Sequence, residues 1–251
     1  MPKFDSPHHE LPDYNALINQ LEQLRPKVDT NIEQLKGTIP NCRLNDARLT
    51  AILHIGQIID SAHLTFTFIS HNLTPFDNSW WKEVYKSPFP NFTDYDKSVV
   101  INNLTVGFVK VAFVQNLFSI IDSSFRLYLR AIDPTVCNGS TGNFQNIYTA
   151  LKSRLTAFPS DGDELIKLLR LTRNTIHNNG VYFDKNANND QVTYKSVTYN
   201  FNHGKVIKFV TWEWLIEMLD DARQMLMGII LDANIIGITD EIEDPFNVRT
   251  P

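Results

Sequence analysis

Apolar residues three or four apart open the chain. Leu17, Leu21, Leu24, Val28, Ile32 and Leu35 predict a helix from Asp13 to about Lys36. Pro26 falls inside that pattern and predicts a kink or two shorter helices, with Gly37 and Pro40 as the stop. A second helical pattern takes Asn45 or Asp46 as N-cap and runs to about His71, although its end, from Leu64 to Ser70, alternates as a strand would. The segment 72–97 is rich in Pro, Asn and aromatics and keeps no period; a loop of that length is expected to be functional or loosely ordered. A long apolar helix follows from roughly Ser98 to Ile132, ended by Pro134 and the loop 137–143.

Helix four is expected over about Phe144–Leu155, and helix five from Asp163 to about Asn178, with Gly180 as its C′ residue. The period then switches to two. VTYKSVTYNF and KVIKFV, joined by Asn202-His203-Gly204, predict a β-hairpin over 192–210. Thr211 as N-cap and Glu213 in the first turn start the last helix, which reaches about Asn234. The fold class is therefore all-α: an antiparallel bundle of five or six helices with a small β-hairpin inserted before the last. One domain is expected over 1–251, its core at about 45–235, with flexible tails at 1–12 and 239–251.

Composition changes this picture little. Of 251 residues, 43% are hydrophobic and 20% charged, as in an ordinary globular domain. A net charge of −5 argues against a protein that coats itself in nucleic acid, and leaves room for a local cationic patch. Cys42 and Cys137 form no metal-binding pair and are expected to be reduced thiols. The first residues lack the apolar centre of a signal peptide, and no run of about 18 residues is free of polar interruption, so a cytoplasmic protein without membrane contact is expected. On that expectation the Asn-x-Ser/Thr triplets at Asn72, Asn91, Asn103 and Asn138 are chance. His54, His63 and His71 are too widely spaced to share a metal, and His8-His9-Glu10 lies in a tail. Loops of the Walker A, dinucleotide-binding, zinc-protease and serine-hydrolase kinds are missing, so neither cofactor nor metal is expected. Trp80 and Trp81 suit a lid packed on the bundle better than a platform for bases.

One segment carries chemistry. In ELIKLLRLTRNTIHNNG, Leu165, Leu168, Leu169, Leu171 and Ile176 supply a buried face. Arg170, Arg173 and His177 stand at i, i+3 and i+7, so a helix projects all three from one side, with Asn174 and Asn178 along the border. Guanidinium groups grip phosphate oxygens with a planar fork of donors. An imidazole takes and returns protons near neutrality. Together they suit a phosphodiester, and no metal is required when a ribose 2′-hydroxyl is the nucleophile. The plainer reading of the same residues is a set of surface and helix-end cations favoured by the macrodipole.

The run Arg170-Leu171-Thr172-Arg173-Asn174-Thr175-Ile176-His177-Asn178-Asn179-Gly180, on the penultimate long helix of an all-α chain, resembles the motif helix of HEPN (higher eukaryotes and prokaryotes nucleotide-binding) domains. Helices from about 47 to 235 and the hairpin fit that resemblance. It implies a compact, commonly dimeric bundle in which an Arg, four to six residues and a His form the active site of a metal-independent endoribonuclease at the dimer interface. It implies RNA as ligand, a homodimer, and an antitoxin or other toxin–antitoxin or phage-defence protein as partner. Carried onto this chain, the roles fall to His177 as base, Arg170 or Arg173 on the phosphate, and Asn174 as a positioning group, with Asn178 in support. Arg170 has the family's gap of six residues but is followed by Leu171; Arg173 is followed by the polar Asn174 but has a gap of three. Asp122 and Arg126 stand at i, i+4 on the long apolar helix, either as a plain ion pair or with Asp122 orienting the Arg or His of the motif helix. A non-catalytic HEPN-like module that binds a partner protein, a nucleotide or RNA is the alternative.

Overall fold

The computed structural model of the protein describes residues 11–84, 93–136 and 143–244. It is mostly helical, with a two-stranded antiparallel hairpin before the last long helix. Helix α1 (Tyr14–Thr38) starts at Asp13, whose Oδ1 accepts from the amides of Asn15 and Ala16. It runs through Pro26 without a break. Pro26 is exposed, so the amide hydrogen bond it forfeits lies on the solvent side, while Leu24 and Val28 beside it hold the buried stripe. Six of the seven buried residues of α1 are the predicted apolar positions, and they pack against α2 (Ala47–Phe68).

The end of α2 is helical, not strand-like. The alternating residues Leu64–Phe68 continue α2, and the chain then winds into a π-helical turn, Ile69–Leu73, closed by the Thr74 amide donating to the Ile69 carbonyl at 2.9 Å. A short helix, α3 (Ser79–Val84), buries Trp81, whose indole N–H donates to the Leu73 carbonyl at 3.0 Å. The expected loop thus holds ordered structure up to Val84. Helix α4 (Asp94–Leu104) starts earlier than its apolar pattern indicates, because Thr93 and Asp96 form a capping box. A second π turn, Thr105–Val109, joins it to α5 (Lys110–Ile132). By length and composition the whole stretch Asp94–Ile132 is apolar enough to cross a membrane, and 28% of its most apolar window is buried. Phe113, Leu117, Ile121 and Phe125 of that stretch pack inside the bundle. Leu104, Val106 and Phe108 are exposed.

Helix α6 (Phe144–Lys152) and helix α7 (Gly162–His177) both lie against α5. Strands β1 (Asp190–Tyr194) and β2 (Val197–Phe201) pair in register from Asp190–Phe201 to Tyr194–Val197. The hairpin is therefore shorter than expected and turns elsewhere. Its turn is Lys195-Ser196, at φ 47° and 65°, inside what reads as one strand. Two left-handed residues match the twist of the strands, and neither Gly nor Asn advertises the turn. Asn202-His203-Gly204 makes a different turn, after which 205–207 pairs with Gly180–Tyr182.

Helix α8 (Trp212–Ile230) starts at Thr211 as expected and is buried on most sides, with Leu215, Met218, Leu219, Ala222 and Leu226 fully enclosed. It stops four residues short of the expected end, and a separate turn, α9 (Ala233–Ile236), is capped by Asp232. Residues 239–244 are not a loose tail. The Ala47 amide donates to the Ile242 carbonyl at 2.7 Å, the Asp244 amide donates to Asn45, and Ile242 and Asp244 are buried. Tails 1–10 and 245–251 lie outside the described residues, as do Cys137 and most of the loop after α5. Cys42 is a free thiol.

Candidate functional site

Four buried leucines, Leu165, Leu168, Leu169 and Leu171, fasten α7 to the core. Each stabilises the fold by about 1.5–3 kcal/mol, so the opposite face of the helix is held in a fixed rotation. The end of α7 is equally defined. The Gly180 amide donates to the Thr175 carbonyl at 3.0 Å and the Asn179 amide to Ile176 at 3.1 Å, the two bonds of a Schellman motif. Asn178 is the cap and Asn179, at φ 55°, occupies C′, with Gly180 one residue beyond. His177 is thus the last helical residue, and the chain then turns sharply to pair with 205–207.

On the outer face, Arg170 and Arg173 are half-buried, and Asn174, His177 and Asn178 are exposed. Arg173 is held from three directions. Its Nε donates to Gln115 Oε1 at 3.4 Å, its Nη1 donates to Asn174 Oδ1 at 3.2 Å, and its guanidinium lies 5.5 Å from the centroid of the Phe118 ring. His177 Nε2 contacts Nε2 of the same Gln115 side chain. One amide on α5 therefore joins the guanidinium and the imidazole of α7.

The remaining candidates divide. Asn174 touches Arg173 rather than His177. Asn178 Nδ2 donates to the Asn174 carbonyl at 3.1 Å, bracing the helix end. Arg170, one turn earlier on the stripe, makes no hydrogen bond or ion pair among the described residues. It lies on the side of Tyr182, whose phenol is pushed up by burial and by Asp190 and Asp184, and is pulled the other way by Arg170. Lys167 completes the cationic edge, although its Nζ donates to Asp190 at 2.7 Å and to the Gln191 carbonyl at 3.1 Å. Asp122 accepts from Arg126 Nε at 2.8 Å, the i, i+4 ion pair. No hydrogen bond among the described residues links Asp122 to Arg170, Arg173 or His177; the α5 side chain that meets Arg173 and His177 is Gln115.

Gln115 and Phe118 are the residues that sequence reasoning missed. The signal available was an amide interrupting the apolar run of α5, at i, i+3 and i+7 with Phe118 and Asp122. Only the packing of α5 on α7 shows what that amide meets. The other side of α5 faces α2 across a groove of about 480 Å³, lined by Gln57, Ser61, Phe108, Asn116, Ser119 and Ser123 among others. That groove does not include Arg173 or His177. Among the described residues no group of three or more His, Cys, Asp or Glu side chains could hold a metal ion. The chain matches no protein-family model, no curated protein and no solved structure.

Proposed function

We propose that the protein is a metal-independent endoribonuclease of the HEPN-like kind, acting as a homodimer through the outer face of α7. The observation that carries this reading is the exposed end of α7, where an imidazole and a guanidinium meet one amide while a second guanidinium, Arg170, makes no hydrogen bond or ion pair among the described residues. His177 takes the proton of a ribose 2′-hydroxyl. The 2′-oxygen bonds to phosphorus, the bond to the 5′-oxygen breaks, and that oxygen takes a proton from solvent. Arg170 has the family's gap to His177 and, among the described residues, no partner for its donors, which suits them to phosphate oxygens. Arg173 supplies fixed positive charge beside the imidazole, and Asn174 holds Arg173 in place. Two copies of the stripe brought together concentrate the charge that a chain of net −5 lacks. A toxin–antitoxin or phage-defence setting fits such an activity.

End-group analysis tests the chemistry. Cleaved RNA carries a 2′,3′-cyclic phosphate on one fragment and a 5′-hydroxyl on the other. Products with 5′-phosphate ends contradict attack by the 2′-hydroxyl.

A second reading has its own support. His177 Nε2 is already in contact with Gln115, and Arg173 already donates to Gln115 and Asn174. A preset polar surface of this kind also suits a non-catalytic module that binds RNA or a partner protein. RNA binding that saturates without any cleavage selects it.

A further inference from the structure

Arg173, Gln115 and His177 form a chain in which only one arrangement of protons satisfies every contact. A guanidinium nitrogen can only donate. Arg173 Nε lies 3.4 Å from the Gln115 amide, so the atom facing it is the acceptor, Oε1. The other end of that amide is then its NH2 group, and this end meets His177 Nε2. An NH2 group donates, so Nε2 accepts; it carries a lone pair and the ring proton sits on Nδ1. Turning the amide over would set two donors face to face at Arg173. Phe118, beneath the guanidinium, and Asn174, beside it, keep Arg173 from moving away to allow that.

We infer that Gln115 is a positioning residue that fixes His177 as its Nδ1–H tautomer, with Nε2 turned to Gln115 as the proton-accepting nitrogen. The catalytic meaning of this rests on the nuclease reading above; the tautomer itself does not. A base needs its lone pair on the nitrogen that meets substrate, and Gln115 prepares Nε2 for a donor before any RNA arrives. The 2′-hydroxyl then takes the place of the amide N–H as the group donating to Nε2, one donor for another, and no change of tautomer is required.

The test uses the full chain labelled with 15N at histidine. Proton–nitrogen correlation spectra are recorded above the ordinary imidazole titration range, with the His177 signals identified by their loss in His177→Ala. Wild type shows the Nδ1–H pattern. Gln115→Ala relaxes toward the Nε2–H form that histidine favours in water. Gln115→Glu, whose carboxylate accepts from both neighbours, places the proton on Nε2. Two variants of different shape guard against a local packing defect, and thermal unfolding confirms that each is folded. RNA cleavage falls on the order of ten- to a hundredfold in both. An Nε2–H wild type, or one tautomer common to all three proteins, overturns the inference. Spectra as expected with no cleavage by wild type leave the hold of Gln115 on His177 standing and remove the nuclease reading.

Discussion

Arg48 has no exposed surface, and its donors are all taken. It makes a two-pronged pair with Asp46 through Nε and Nη2, at 2.8 Å and 2.6 Å; Nη1 donates to the carbonyls of Ile235 and Ile238, and Nη2 also donates to that of Asp240. Asp46 is also the N-cap of α2, accepting from the Arg48 amide at 2.9 Å. A buried charge left without its counterpart is far costlier than the pair is favourable. Asp46→Ala should therefore lose about 3–5 kcal/mol in urea denaturation. Arg48→Met, which removes the buried cation itself, should lose clearly less. Equal losses would mean that the pair acts as packing rather than as charge. Asp46 was readable in the sequence as a cap candidate. Arg48 was not, because its acceptors come from carbonyls nearly two hundred positions away. The motif residues divide the same way. Arg170, Arg173 and His177 share a face by spacing alone, whereas Gln115 enters only through the contact of α5 with α7.

Among the elements, those with a strong local pattern were legible and those decided by two or three residues were not. The buried residues of α1, α5 and α7 follow the 3.6-residue period, and those of α2 and α8 spread round more of the helix. Pro26 is tolerated because its missing donor faces solvent, and burial can be inferred from the period only for the stripe as a whole. The hairpin shows the opposite case. Tyr194 and Lys195 both reach Asp221 on α8, at 2.9 Å and 2.6 Å, and this tertiary anchor sets the turn one position further on, at a sequence with no turn residues. Ser196 holds φ 65° at some conformational cost. Ser196→Gly relieves that cost while sparing the Lys195 contact, and should stabilise the protein by up to about 1 kcal/mol in the same assay. A loss of stability would mean that the serine side chain contributes something the backbone does not reveal. The π turns Ile69–Leu73 and Thr105–Val109 carry no sequence period that distinguishes them from the helices they interrupt.

Over the whole molecule, acidic residues outnumber basic ones by 28 to 23, so general electrostatic attraction to RNA is weak. On the proposed reading, affinity for RNA comes from the local stripe on α7 and from the pairing of two such stripes. The alternative of a binding module uses that face too, and charge alone does not separate the two. Chemistry does. The central claim is that His177, at the exposed end of α7, is a base acting without metal. The most direct measurement is cleavage of a mixed RNA in excess EDTA by purified wild type and by His177→Ala. The variant should keep its stability within about 0.5 kcal/mol, since the side chain is exposed and removed from the core. Cleavage by wild type that persists in EDTA and is lost in the folded variant is the predicted result. Equal cleavage by the two proteins, or none by wild type, would contradict it.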